Sequence, residues 1–123
     1  MLLLVSVSDL IDITISPSVT LDIHCSMMDA SGTVITPGSQ NSATTVETTK
    51  TIVSSPGSGI ERSVETIHIR NRHASTSSVI TVRHTDGVTT VELFKATLLA
   101  GECLSYTEVK GFQLHDSDGV VKE

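Results

Sequence analysis

The stretch "VETIHIRNRHASTSSVITVRHTDGVTTVELFKATLLAGECLSYTE", residues 64–108, alternates apolar and polar side chains almost throughout. It also concentrates chemistry: His68, His73 and His84 lie among Arg70, Arg72 and Arg83, with Arg62 just upstream. Two readings compete. Either these groups converge on a metal or catalytic centre, or they form the wet face of a β-sheet. A period of two favours the sheet, because successive strand side chains point to opposite faces. Ile67 and Ile69 then turn inward while His68 and Arg70 turn outward. In "VITVRH", Ile80 and Val82 go to the core, and Thr81 and Arg83 to water. Asp86-Gly87 reads as a hairpin, since tight turns need the positive φ that glycine accepts. "TTVELFKATL" could end a helix at Gly101, but its β-branched flanks match a strand.

The same period extends in both directions. Ile11, Ile13 and Ile15 share one face of "LIDITIS". Val19, Leu21, Ile23 and Cys25 share one face of "VTLDIHCSM". "DASGT" and "TPGS" read as turns through Gly32, Pro37 and Gly38. Residues 38–62 are rich in Ser, Thr and Gly and predict a long mobile or partner-contacting loop with one edge strand in "TKTIVSS". Downstream, "CLSYTE", "GFQLHD", the turn "SDG" and "VVK" complete about eight short strands. Turn signals every 8 to 12 residues or so predict an all-β antiparallel sandwich, jelly-roll-like or a related barrel. The 123 residues make a single domain on this reading, with residues 1–16 as an N-terminal arm or strand.

Composition agrees. There are 17 Ser, 17 Thr, 14 Val and 10 Ile against two Phe, one Tyr and no Trp. β-branched side chains fit a pleated surface better than a helix, and with few aromatics the aliphatics must fill the interior. A net charge of −6 lacks the basic face that phosphate backbones require, so nucleic acid is not an expected partner. The segment "MLLLVSVSDLIDITI" has no basic residue, and Asp9 and Asp12 interrupt its apolar run. It reads as neither signal peptide nor membrane span, so the expectation is cytosolic assembly without a membrane partner. Cys25 and Cys103 are the only cysteines; one bridge is open to them, but both fit inward strand positions as buried free thiols.

No constellation meets the requirements of a reactive site. Zinc needs four convergent ligands, and the five histidines have neither a Cys-x-x-Cys nor a His-x-His beside them. On this reading His68, His73 and His84 belong to the solvent face and the turn, although one such histidine could meet its copies on a symmetry axis. "HDSDG", residues 115–119, resembles the start of a calcium loop but lacks its later ligands, so Asp116, Asp118 and Gly119 predict a hairpin turn. "SPGSG" lacks the Lys-Ser/Thr and helix of a phosphate loop, and no serine stands in a Gly-x-Ser-x-Gly setting. The expectation is a non-enzyme with no catalytic, cofactor-binding or metal residue and no cofactor.

From "HIRN" at residue 68 to "DSDG" ending at 119 the chain resembles small virion proteins of tailed bacteriophages. The shared pattern runs through a strand ending Ile69-Arg70-Asn71, "HAS", "TV", the "HTDG" hairpin, "ELFKATLLAGE" and a closing Gly-aromatic strand before "DSDG". "LDIHCSMMDASGTVITPGSQN" upstream fits the same group. The resemblance implies a structural protein of the virion, assembled in the host cytoplasm, with no enzymatic residue to carry over. Its expected place is as a capsid decoration or cement protein, a homo-oligomer such as a trimer that contacts the major capsid protein or other virion proteins. The N-terminal arm and the 38–62 segment would be its contact elements, unless the arm is an internal strand and the loop merely solvated. The alternative is a tail, fibre or neck component that binds a host-surface glycan, although few aromatics are present to stack on sugars.

Overall fold

The computed structural model describes residues 2–122, which form eleven strands and no helix. They are β1 (Leu2–Leu4), β2 (Leu10–Ser16), β3 (Leu21–Ser31), β4 (Val34–Thr44), β5 (Thr49–Val53) and β6 (Glu61–Asn71). β7 (Ser78–Thr85), β8 (Thr90–Leu98), β9 (Cys103–Thr107), β10 (Gly111–His115) and β11 (Val121–Lys122) follow. All pairings are antiparallel and fall into two sheets. The larger sheet has the order β11-β10-β9-β6-β3-β4, with β1 paired to the first half of β6. The smaller has the order β5-β2-β7-β8. Neither order closes on itself, so both sheets keep free edges.

The two sheets share one hydrophobic core. Ile11, Ile13, Ile15, Ile80 and Val82 of the smaller sheet cluster with Leu21, Ile23, Cys25, Ile67, Ile69 and Leu104 of the larger. Each of these is at most 3% exposed, as expected where strand periodicity sorts every second side chain to one face. The chain's three aromatic residues gather at one place in this layer. Phe94 of β8 stacks on Phe112 of β10 with ring centroids 4.9 Å apart, and Tyr106 tilts against Phe112 at 5.0 Å. That contact joins one sheet to the other where the aliphatic layer thins.

Three bulges adjust the alternation. The β3–β6 register shifts between Ser26 and Met27, so Glu65 stands between the pairs Met27–Val64 and Ser26–Thr66. Val64 and Ile67 consequently both face the core although they lie three apart. A second shift, at Val82/Arg83, leaves Leu93 between Phe94 and Glu92, and a third, at Ile11/Asp12, lets Ile52 and Val53 both be buried. An extra residue in one strand turns the pattern over without ending the sheet.

Several expectations are corrected. The 38–62 segment is less a loop than expected, because β4 runs through Thr44 and β6 begins at Glu61, while β5, Thr49–Val53, is the edge strand expected in "TKTIVSS". "TPGS" is not a turn, because Pro37 and Gly38 lie inside β4. β4 is an edge strand of the larger sheet, where proline's missing N–H need not cost a ladder bond. Residues 2–16, by contrast, include the paired strand that is one of the two forms expected of the N-terminal segment. β1 is bonded to β6, and β2 lies inside the smaller sheet between β5 and β7. Eleven strands stand where about eight were expected; β1, split from the N-terminal segment, and β4 are the ones not read as separate strands.

The core makes a direct prediction. Ile67 and Ile13 are wholly buried, one in each sheet. Replacing either with alanine removes aliphatic contacts and leaves a cavity, and should cost about 2–5 kcal/mol in a denaturant titration. A loss below about 1 kcal/mol at both positions would contradict the shared core.

Candidate functional site

The outer face of the larger sheet carries most of the residues singled out in the sequence. Cross-strand register builds one polar row from Asn41, His24, His68, Ser105 and Gln113. The adjacent row holds Ala43, Asp22, Arg70, Cys103 and His115. Nδ1 of His24 is hydrogen-bonded to Oδ1 of Asn41, and Ser105 Oγ lies 3.0 Å from Nε2 of His115. Desolvation at the middle of the sheet, and then the neighbouring His115, Arg70 and His24, push the His68 imidazole below its ordinary pKa. A shallow concavity of about 390 Å³ opens between β4, β3 and β6, with His24, Asn41, His68 and Arg70 on its walls. A second, of about 300 Å³, adjoins it and shares Asp22 and Arg70.

The arginines part company here. Arg62 makes a two-pronged pair with Asp29 at 2.8 and 3.0 Å and donates to the carbonyl of Ser54. Arg83 does the same with Asp12 on the smaller sheet, at 2.8 Å for both contacts. Arg72 reaches Asp22 at 3.2 Å with both side chains half exposed. Arg70 has no ion-pair partner among the described residues. The acids beside the cluster in sequence, Glu61 and Glu65, are therefore not its partners. Aspartates from neighbouring strands are.

The histidines do not form one group. His68 is on β6 of the larger sheet and His84 is on β7 of the smaller, so the two are not on neighbouring strands. Nor is His84 on the wet face. It pairs with Ile11 and Val91 in an inward row at the end of the sheet, and its Nε2 is buried with no partner among the described residues. His73 acts within its turn, its Nδ1 accepting from the backbone N–H groups of Ser75 and Thr76 at 3.1 and 3.0 Å. No group of three or more metal-ligating side chains converges among the described residues. Cys25 is buried in the core, and desolvation pushes its thiol up to about 12. Cys103 departs from expectation: it sits on the outer row opposite Arg70 and His115, in the opposite phase to buried Leu104. Both thiols are free.

The pattern "IRN…LAGE…DSDG" meets in space, and its role there is structural. Asn71 ends β6 fully buried. Its Nδ2 donates to the carbonyls of Thr76 and Leu98 at 2.9 and 3.1 Å, and its Oδ1 accepts from the N–H of His73 at 2.9 Å. Its backbone exchanges bonds with the β8–β9 turn, donating to Glu102 O and accepting from Gly101 N, both at 2.9 Å. Gly101 has φ +83°, and a Cβ there would lie 3.1 Å from that of Ser117, so this glycine allows the closing hairpin to pack on the turn. Glu102, 6% exposed, accepts from the N–H of Leu99 and takes Lys122 Nζ at 2.9 and 3.1 Å. In "HDSDG", Asp116 Oδ1 accepts from the N–H groups of Asp118 and Val120, with Gly119 at φ +87°, which is a turn built by its own carboxylate. Nothing in the sequence connected Asn71 to Gly101 and Glu102, since the bonds cross 30 residues of chain.

No protein-family model, curated protein or solved structure matches the chain.

Two outcomes follow from this geometry. Asn71→Ala removes three hydrogen bonds, one buried and two part-buried, and should destabilise the fold by about 3 kcal/mol in chemical denaturation, whereas His24→Ala and His68→Ala together should cost under about 1 kcal/mol. Acid sensitivity has a definite sign. The Arg62 hydrogen bonds hold the Asp29 carboxyl below its ordinary value, and the N–H of Val5, ahead of other contacts, does the same for Asp9. A depressed folded-state pKa contributes stability that is present above the unfolded value, about 3.9, and is lost as pH falls through the folded one. Melting temperature should therefore decline gently below about pH 6.5, where the unfolded chain protonates His68 more readily than the folded one does, and fall more steeply below about 4, the steep part being shallower in Asp29→Asn.

Proposed function

We propose that this chain is a non-enzymatic structural protein of a tailed-bacteriophage virion, most closely a capsid decoration or cement protein acting as a homo-oligomer. The observation that supports this reading is the structural role of the residues on which the resemblance to phage virion proteins rests. Its most specific residues, Asn71, Gly101 and Glu102, tie strands and turns together and leave no side chain presented to a substrate. A motif whose residues secure a scaffold suits a protein whose work is shape. We read the two sheets as the facing layers of a sandwich, with the jelly-roll-like class as the nearest description from sequence.

Contacts with a shell need exposed apolar groups and free sheet edges. The ends of strands supply them. Register brings the β3–β4 hairpin tip and β1 to one end of the larger sheet, where Ile35 pairs with Ala30, Ala30 with Glu61, and Leu4 with Arg62. Val34 and Ile35 are 62% and 63% exposed there, and Leu3, Val5 and Val7 are also exposed. β4 offers an eleven-residue edge along the same side. Leu3, Val5 and Val7 belong to the N-terminal segment and β4 overlaps residues 38–62, so both elements proposed for contact from the sequence contribute to this surface. Identical weak contacts repeated over a symmetric shell add up.

The reading is tested on particles. Purified protein should bind empty capsids of its phage in hundreds of copies and raise their melting temperature. Val34→Asp with Ile35→Asp should weaken that binding at least tenfold while leaving the protein's own melting curve intact. A count of six to a few dozen copies would favour the tail, fibre or neck role, and no binding to particles would overturn both.

A further inference from the structure

The concave outer face of the larger sheet has a use that neither packing nor the virion role requires. Arg70 is the exception among the four arginines. Arg62, Arg72 and Arg83 each meet an aspartate, while Arg70 has no such partner among the described residues. The carboxylate opposite it in register, Asp22, bonds to Arg72 instead. Arg70 also stands on the wall shared by the two adjoining concavities of about 390 and 300 Å³. In a chain of net charge −6, this face gathers His24, His68, Arg70 and Arg72 against one carboxylate. A planar guanidinium with unfilled donors is shaped for a two-pronged bond to a carboxylate or phosphate. Asn41 and the imidazole of His24, hydrogen-bonded to each other, add polar groups at the far wall, suited to hydroxyls.

We propose that this face binds a monosaccharide-sized ligand carrying one oxyanion, a sugar acid or a sugar phosphate. The guanidinium of Arg70 takes the oxyanion, and Asn41, His24 and His68 hold the hydroxylated body. The size fits, since ligand sites begin at about 300 Å³. The chemistry fits as well. Few aromatics are available to stack on a sugar ring, so recognition falls to charge-assisted hydrogen bonds. Asp22, engaged by Arg72, repels a second anionic group and so favours ligands that carry only one. The proposal is independent of the place of the protein in a particle.

The test uses the intact protein and four probes: glucose 6-phosphate, glucuronic acid, neutral glucose and inorganic phosphate. Histidine ring resonances and calorimetry are followed on titration. The expected result is a saturable shift at His24 and His68 with glucose 6-phosphate or glucuronic acid, and at least tenfold weaker binding of glucose. Which of the two binds tighter tells phosphate from carboxylate as the source of the charge. Arg70→Gln should lose at least tenfold in affinity, Asn41→Ala several-fold, and Lys95→Gln on the smaller sheet nothing. Inorganic phosphate binding as tightly as the sugar phosphate would overturn the saccharide part of the assignment. No saturable shift with any probe, or undiminished binding in a folded Arg70→Gln, would overturn it whole.

Discussion

The structure rests on one constraint: apart from the exposed edge strands β4 and β11, the strands must deliver apolar side chains to a single layer held between two sheets. The layer is aliphatic, with Ile13, Ile80 and Val82 on one side and Ile23, Ile67 and Ile69 on the other. β-branched side chains serve this well, because their stiff χ1 loses little on burial and their shape fills a pleated surface. The chain passes between the sheets after β1, β2, β4, β5, β6 and β8, so neither sheet is assembled from a continuous stretch. Each sheet is therefore a product of the other. The three bulges serve the same end, returning Val64, Phe94 and the pair Ile52–Val53 to the layer where strict alternation would have turned some of them out.

Much of this was legible in the sequence, and the failures are instructive. Strands with clean alternation, such as "IHI" and "LDIHC", needed only a period of two. Residues 34–44 did not alternate, because β4 is an exposed edge strand whose side chains are nearly all in water. An edge strand with no dry face leaves no hydrophobic pattern, and its Pro37 and Gly38 imitate a turn. The N-terminal residues were read correctly as extended, but their partners lie far along the chain in β6 and β7, which no local pattern announces. The break between Val64 and Ile67 was a visible sign of the bulge at Glu65. His84 shares a phase with Ile80 and Val82, so its inward place followed from alternation too. Grouping it with His68 failed because it took nearness in sequence for nearness in a sheet.

The polar face was legible as polar but not as arranged. The row from Asn41 to Gln113 depends on the order of β4, β3, β6, β9 and β10, which is a property of the whole fold. The distinction between paired and unpaired arginines depends on it too, because the deciding aspartates come from other strands. The turn chemistry has the same character. Asn71, Gly101, Glu102 and Lys122 read as isolated loop residues until the end of β6 and the β8–β9 turn are brought together. The proposed contact end and the proposed oxyanion site lie at opposite halves of β3 and β6, and both reach onto β4.

Amide hydrogen exchange examines the shared layer most directly. Central amides of β3 and β6 should lose protection together with those of β2 and β7 in one cooperative transition as denaturant is raised, because neither sheet has a dry interior without the other. If the smaller sheet exchanges at a lower denaturant concentration while the larger stays protected, the two sheets do not depend on a common core and the account is wrong.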